Sequence, residues 1–417
     1  MPFTETNLTA QKRSFLKLAS LSALLFSAVL LSGCKDEKTP AAAGGGSTTT
    51  ATIVGDKIII GEYGSKTGAQ ADFGIQTDNG IRLAIEEVNK AGGIERDGKK
   101  YQVDLPDTED DASKAEQAET AVKRLVDKNV VAVLGEVASS ASIAGGKVCE
   151  EKGIPMITPS STRVDVTTGK QYLFRVCFLD SYQAAVVARF SIDGLKAKKV
   201  ALFVNKSQSY STGFAEEFKK ALVKYGGTIL GEKNYSDKDQ DFRSQLTAIK
   251  ALNPDAILIP GYYSDVSQIA GQARELGITI PLLGGDGWSS PELLTKGGKA
   301  VENTYFSDHM AVDDPKPVVK DFVKNYQDKY KVAPSSMSAL GYDAAKILCN
   351  ALKTAKTLDK KDIRDAIAST SNYDGTSGNI SINKDHNADK SAVIIKVKDG
   401  KFVYAATIPD PEKPMTK

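Results

Sequence analysis

Histidine and cysteine are scarce in this chain. Its 417 residues include two histidines, His309 and His386, and four cysteines. No HExxH and no Cys/His cluster at metal-ligand spacing occurs, which excludes the zinc sites built that way. No GxSxG is present either, and no nucleophile is visibly paired with a base. His386 sits in the turn-like "NKDHNADK", and His309 ends a strand beside Asp308, where it reads as a solvated or interlobe structural residue. Phosphate loops are missing too. "GSKTG" contains Lys66-Thr67, but Ser65 stands before Lys66, so the GxxxxGK[ST] spacing fails, and no GxGxxG follows a strand. An enzyme, a metal centre and a bound cofactor are therefore not expected. A strong charge of one sign is also absent. The formal charge is +2, and a chain starting at Cys34 would carry equal numbers of acids and bases. That balance points away from nucleic acid and from polybasic membrane contact.

Long apolar runs are confined to the first 34 residues. A basic "QKRSFLK" precedes the apolar "LASLSALLFSAVL", which ends in "LSGC". This order is that of a signal peptide over 1–33, and the tetrapeptide resembles the bacterial lipobox, with Cys34 as the lipid-bearing new N-terminus. The Gly/Ser/Thr/Ala-rich segment 34–56 reads as a flexible linker. No later run approaches membrane-spanning length. The expectation is a body in water, in the periplasm or at the cell surface, tethered by lipid. Of the remaining cysteines, Cys349 lies in a helical pattern as a small buried residue. Cys149 and Cys177 are either paired or free.

From Lys57 onward strands and helices alternate. "KIIIGEY" reads as a strand, and the next helix places Ile81, Ala84, Ile85 and Val88 on one face. "VVAVLG" and "IPMITP" have the continuous apolar character of buried parallel strands. A second series of the same kind begins near Ser181. Two such series in a chain of this length predict an α/β protein of two doubly wound parallel-sheet lobes. Helices at about 315–370 and short strands at about 379–407 return to complete both lobes.

In such sheets ligands bind beyond the carboxyl ends of the strands. Those ends carry a consistent set of residues. "LGEVASSAS" places Ser139 and Ser140 at a helix start, where free N–H groups and hydroxyls suit a carboxylate. "MITPSSTR" brings Ser160, Ser161 and Thr162, "LIPGYYSD" brings Tyr262, and "LLGGDGW" brings Asp286 in a Gly-flanked loop. Hydroxyls facing one acid can hold a carboxylate and an ammonium, the head group of a free amino acid.

With "TGAQADFG", "VLGEVASSAS", "IPMITPSST" and "DFRSQLTAIKALNPDAILIPGYY", the chain from about Lys57 to Ala406 resembles the substrate-binding proteins of branched-chain amino-acid ABC importers. The resemblance implies the type I periplasmic binding fold, with crossover hinge strands joining lobe 1 (57–179 and 311–374) to lobe 2 (180–310 and 375–409). It implies capture of a free amino acid (Leu, Ile or Val) by hinge closure and delivery to the permease membrane subunits of an ABC importer, by a monomer. Binding of an amide, urea or aromatic acid, or a ligand-sensing receptor role, are the alternatives. Carried over by position, Val137, Ala138 and Ser139 contact the ligand carboxylate. Ser160 and Thr162 hold the head group, with Ser161 between them. Asp180 marks the first crossover. Tyr210 covers the ligand, and Tyr262 and Asp286 come from the second lobe, where the family's acid is often Glu. Phe73 stands where Tyr is frequent, so a hydroxyl is lost. Trp288 adds to an apolar wall with Phe73, Tyr210 and Tyr262. The glycines around Phe73 let the first-lobe rim approach the ligand. Ser113 and Ala138 occupy places where some relatives pair cysteines. Globomycin, which blocks lipoprotein signal peptidase, should make an unprocessed precursor accumulate in cells; unchanged processing on a gel would remove the lipid from Cys34.

Overall fold

The computed structural model describes residues 53–415. Cys34 and the linker as far as residue 52 lie outside the described residues. The end of the expected linker is not a tether: Ile53–Val54 pairs antiparallel with Lys57–Ile59.

Most of the apolar runs become strands of the two largest of four sheets among the described residues. The first has the order Glu109–Asp110, Gly61–Gly64, Val133–Leu134, Met156–Thr158, Leu173–Arg175, with every neighbouring pair parallel. Val133, Leu134, Met156 and Ile157 are buried, as parallel strands covered on both faces require. The second sheet begins with Thr228–Tyr235, Lys199–Asn205, Ala256–Leu258, Leu282–Gly284 and Thr304–Asp308, all parallel. Val393–Lys398 and Lys401–Thr407 then extend it antiparallel. The chain passes between the sheets three times: between Arg175 and Asp180, between Asp308 and Pro317, and between Asp389 and Val393.

The last crossing falls later than the sequence suggests. Ile380, Ile382 and Ala388 share a core with Ile58, Ile60 and Ile81, and the Arg175 N–H donates to the His386 carbonyl. Residues 375–389, expected in the second lobe, therefore pack with the first. Cys149, Cys177 and Cys349 are all free, buried thiols.

Helix Ala71–Lys90 buries Ile81, Ala84 and Ile85 on the face that their spacing defines. Its glycines differ from expectation. A Cβ on Gly80 would lie 1.9 Å from the Ser338 carbonyl oxygen of helix Ser336–Thr354, and one on Gly74 would lie 2.0 Å from the Ser65 carbonyl oxygen. They allow backbone to pack on backbone within the lobe, and the rim's approach to a ligand is not what requires them. Gly80→Ala should cost about 3 kcal/mol of stability by overpacking, read as a lower urea midpoint. An unchanged midpoint would mean that the two helices can part freely.

Candidate functional site

Loops at the carboxyl ends of both sheets meet around a small cavity. The first lobe contributes Phe73, Val137, Ser139, Ser160 and Met337. The second contributes Tyr210, Tyr262, Asp286 and Gly287. Seven of the residues singled out in the sequence thus come together. Ala138, Ser161, Thr162 and Asp180 do not line the cavity, although all four are buried.

The first-lobe half is built on a buried polar frame. The Glu136 carbonyl accepts hydrogen bonds from the hydroxyls of Ser142 (2.9 Å), Thr158 (2.5 Å) and Ser161 (3.1 Å). The Glu136 carboxylate accepts from the Ser65 N–H (3.2 Å), the Ser65 hydroxyl (3.0 Å) and the Ala138 N–H. Burial, and then the neighbouring Asp111 carboxyl, hold the Glu136 carboxyl well above its ordinary pKa. These bonds fix residues 135–138 and so set where helix Ser139–Lys152 starts. Ser161 serves this frame and not the cavity, which is why its hydroxyl is absent from the wall. The helix presents N–H groups of its first turn, which have no intrahelical partner. The Ser139 hydroxyl accepts from the Arg163 N–H at 3.3 Å, and the Ser160 hydroxyl donates to the Val137 carbonyl at 3.1 Å.

The second-lobe half is organised around Asp286, which is 3% exposed. Its N–H donates to Gln183 Oε1 at 3.3 Å, and its Oδ2 lies 3.0 Å from His309 Nε2. The imidazole is buried and stacks on Phe178, with ring centroids 3.8 Å apart. Burial keeps its pKa well below the usual value, so the ring is neutral and the contact is a hydrogen bond, not an ion pair. With Asp286 ionised, Nε2 carries the proton and donates. His309 Nδ1 has no protein partner. The Asp286 carboxyl is pushed up to about 7, first by burial. Tyr210 accepts from the Gly287 N–H at 3.2 Å and stacks on Tyr262, centroids 5.2 Å apart. Asp180 also rises to about 7 through burial; its Oδ1 accepts from Gln183 Nε2 at 2.9 Å, while its Oδ2 and the Thr162 hydroxyl have no partner.

Trp288 corrects an expectation. It is fully buried, donates Nε1–H to the Ile259 carbonyl at 3.1 Å and rests over Gly284, outside the cavity wall. The three-residue turn Asp286–Trp288 aims the acid at the cleft and the indole into the core. The lobes are in contact across the cleft. Phe73 meets Tyr263 and Tyr262 at 4.9 and 6.1 Å between centroids, the Ser290 hydroxyl donates to Asp72 at 2.6 Å, and Arg163 donates to the Ser209 carbonyl at 3.0 Å. This is a closed arrangement.

A family model described as periplasmic binding protein matches residues 57–401. The chain belongs to that family. Among relatives of this binding protein, "Leu/Ile/Val-binding protein homolog 3" of Brucella melitensis is 30% identical over 72% of this chain and 80% of its own length. A leucine-binding protein from Thermotoga maritima superimposes with a TM-score of 0.81 at 36% identity, covering 85% of this chain and all of the other. The branched-chain amino-acid substrate-binding protein of Streptococcus pneumoniae, in complex with isoleucine, gives 0.79 at 33% identity with the same coverage. The fold of this binding protein is accordingly the type I periplasmic binding fold.

Asp286 makes a testable contribution to pH dependence. A buried carboxyl near 7 keeps a proton in the native state that the unfolded state, with an ordinary value of 3.8, has already lost. Its share of stability therefore falls as pH rises from about 4 to about 7. Asp286→Asn should flatten that decline by up to about 1.4 kcal/mol per pH unit, read from urea midpoints across the range. An unaltered slope would mean that Asp286 is ionised throughout.

Proposed function

We propose that this protein is the extracytoplasmic binding component of an ABC importer, and that it captures free leucine, isoleucine or valine by closing its lobes. One observation carries the reading. A single small cavity sets a buried acid, Asp286, from one lobe against a helix N-terminus and a serine hydroxyl, Ser139 and Ser160, from the other. The acid takes the ligand's ammonium. The N–H groups at Ser139, with the Ser139 hydroxyl, whose own proton is free, take its carboxylate. Phe73, Tyr210, Tyr262 and Met337 supply an apolar wall for an aliphatic side chain.

The ligands named for the Thermotoga and Streptococcus proteins support the same choice. An aromatic acid without an ammonium would set its carboxylate at Ser139 and leave Asp286 buried without a counter-charge, which disfavours that alternative. Delivery is to the membrane subunits of the importer, from a monomer held to the membrane by lipid on Cys34. The role is capture without chemical change to the solute.

Closure excludes water, so the attraction between Asp286 and the ammonium acts at a low local dielectric. Removing one partner leaves the other charge buried and uncompensated. Asp286→Ala should weaken leucine binding by roughly 3 kcal/mol or more in calorimetry. Wild-type affinity in that variant would take Asp286 out of the head-group site.

A further inference from the structure

A second cavity, of about 60 Å³ and partly open to solvent, forms where the crossover after Asp308 meets the start of helix Ser336–Thr354. It shares no lining residue with the first cavity. Asp308, only 5% exposed, lines it. One of its oxygens accepts from the Ser289 hydroxyl at 2.7 Å and the other from the His309 N–H at 2.8 Å, leaving a further lone pair on each. Ser336 lines the same cavity, is 3% exposed, and its hydroxyl has no hydrogen-bond partner. The Ser336 hydroxyl lies beside the Asp308 carboxyl, which burial pushes up to about 7, and the pair keeps hydrogen-bonding capacity open toward the cavity.

The chemistry of the walls narrows that occupant. Met310, Ile395 and Phe402 are apolar, and Val312 and Tyr404, 46% and 47% exposed, form an apolar rim. The lining includes two acids, Asp308 and Asp313, and no lysine, arginine or histidine. An anion would find no counter-charge in the lining; Lys390, which feels the Asp308 charge, lies outside it and donates to the Ser377 hydroxyl. The helix start is already capped by Ser335, whose side chain takes a first-turn N–H. What fits is a cationic head on an apolar body. We propose that this cavity binds a small primary amine with an aromatic or branched aliphatic body, its ammonium held by the Asp308 carboxylate and the Ser336 hydroxyl. The site is separate from the amino-acid site and stands or falls independently of it.

Calorimetry on the full chain tests this with 2-phenylethylamine and isopentylamine as probes, and phenylacetate as the anionic control. Each is titrated with and without saturating leucine, and leucine is titrated alone, so that a failure of amino-acid binding is seen for itself. The amines should bind at millimolar concentration or below in both conditions, and phenylacetate should not. Asp308→Asn should weaken the amines about tenfold or more. Tyr404→Lys, which puts a cation at the mouth without touching the acid, should do the same and leave leucine binding intact. The proposal is overturned if neither amine binds the wild type, if phenylacetate binds equally well, if both variants keep wild-type amine affinity, or if Asp286→Ala is the change that abolishes amine binding.

Discussion

A carboxylate removed from water, with only neutral donors around it, is the constraint on which the cleft is built. Asp286 is buried, its imidazole neighbour is uncharged, and the groups that hold it come from the crossings between the lobes. Gln183 lies in the helix that follows the first crossing, and His309 lies in the second. The acid is thereby tied to the segments that must bend when the cleft opens. A charge in this setting is stabilised by a cation more than any exposed carboxylate is, because the surrounding dielectric is low. The same setting makes the empty closed form unfavourable for the ionised acid.

The opposite wall follows a different logic. Glu136 is buried as deeply, yet every role around it is filled: three hydroxyls on its carbonyl, and Ser65 and Ala138 on its carboxyl. Of the neighbouring acid Asp111, joined to it through the Ser65 hydroxyl, one buried oxygen is left over. The result is a fixed loop that delivers Val137 and the first turn of a helix to the cavity. A satisfied polar network rigidifies, and an unsatisfied one recruits. The two halves of the cleft divide these roles between them.

Much of this could be read from the chain alone, for reasons that differ by element. The alternation of buried strands with amphipathic helices is a local periodicity, so the two-sheet architecture was legible from runs such as "VVAVLG" and from the spacing of Ile81, Ala84 and Ile85. Strand ends locate clefts in such sheets, which brought Ser139, Ser160, Tyr262 and Asp286 into view. What escaped depends on partners distant in sequence. The glycines around Phe73 suggest a ligand, but the reason for Gly80 is the Ser338 carbonyl, in a helix that returns far later. Trp288 stands two residues from Asp286 and was expected in the wall, yet one tight turn sends the two side chains opposite ways. His309 carries no local mark of burial; only the folded chain places it against Asp286 and Phe178. Met337 enters the cavity from the same late-returning helix, and the segment 375–389 changes lobe because Ile380 and Ile382 find the first core.

The contact at Gly80 bears on how such a protein could change its diet. It welds helix Ala71–Lys90 to helix Ser336–Thr354, and these two helices carry Phe73 and Met337 to the cavity. Those two side chains therefore move as parts of one casting and cannot be re-spaced separately. A lineage drifting toward a bulkier or slimmer solute would have to re-cut the other half of the mould, at Tyr210 and Tyr262, and inherit the casting unchanged.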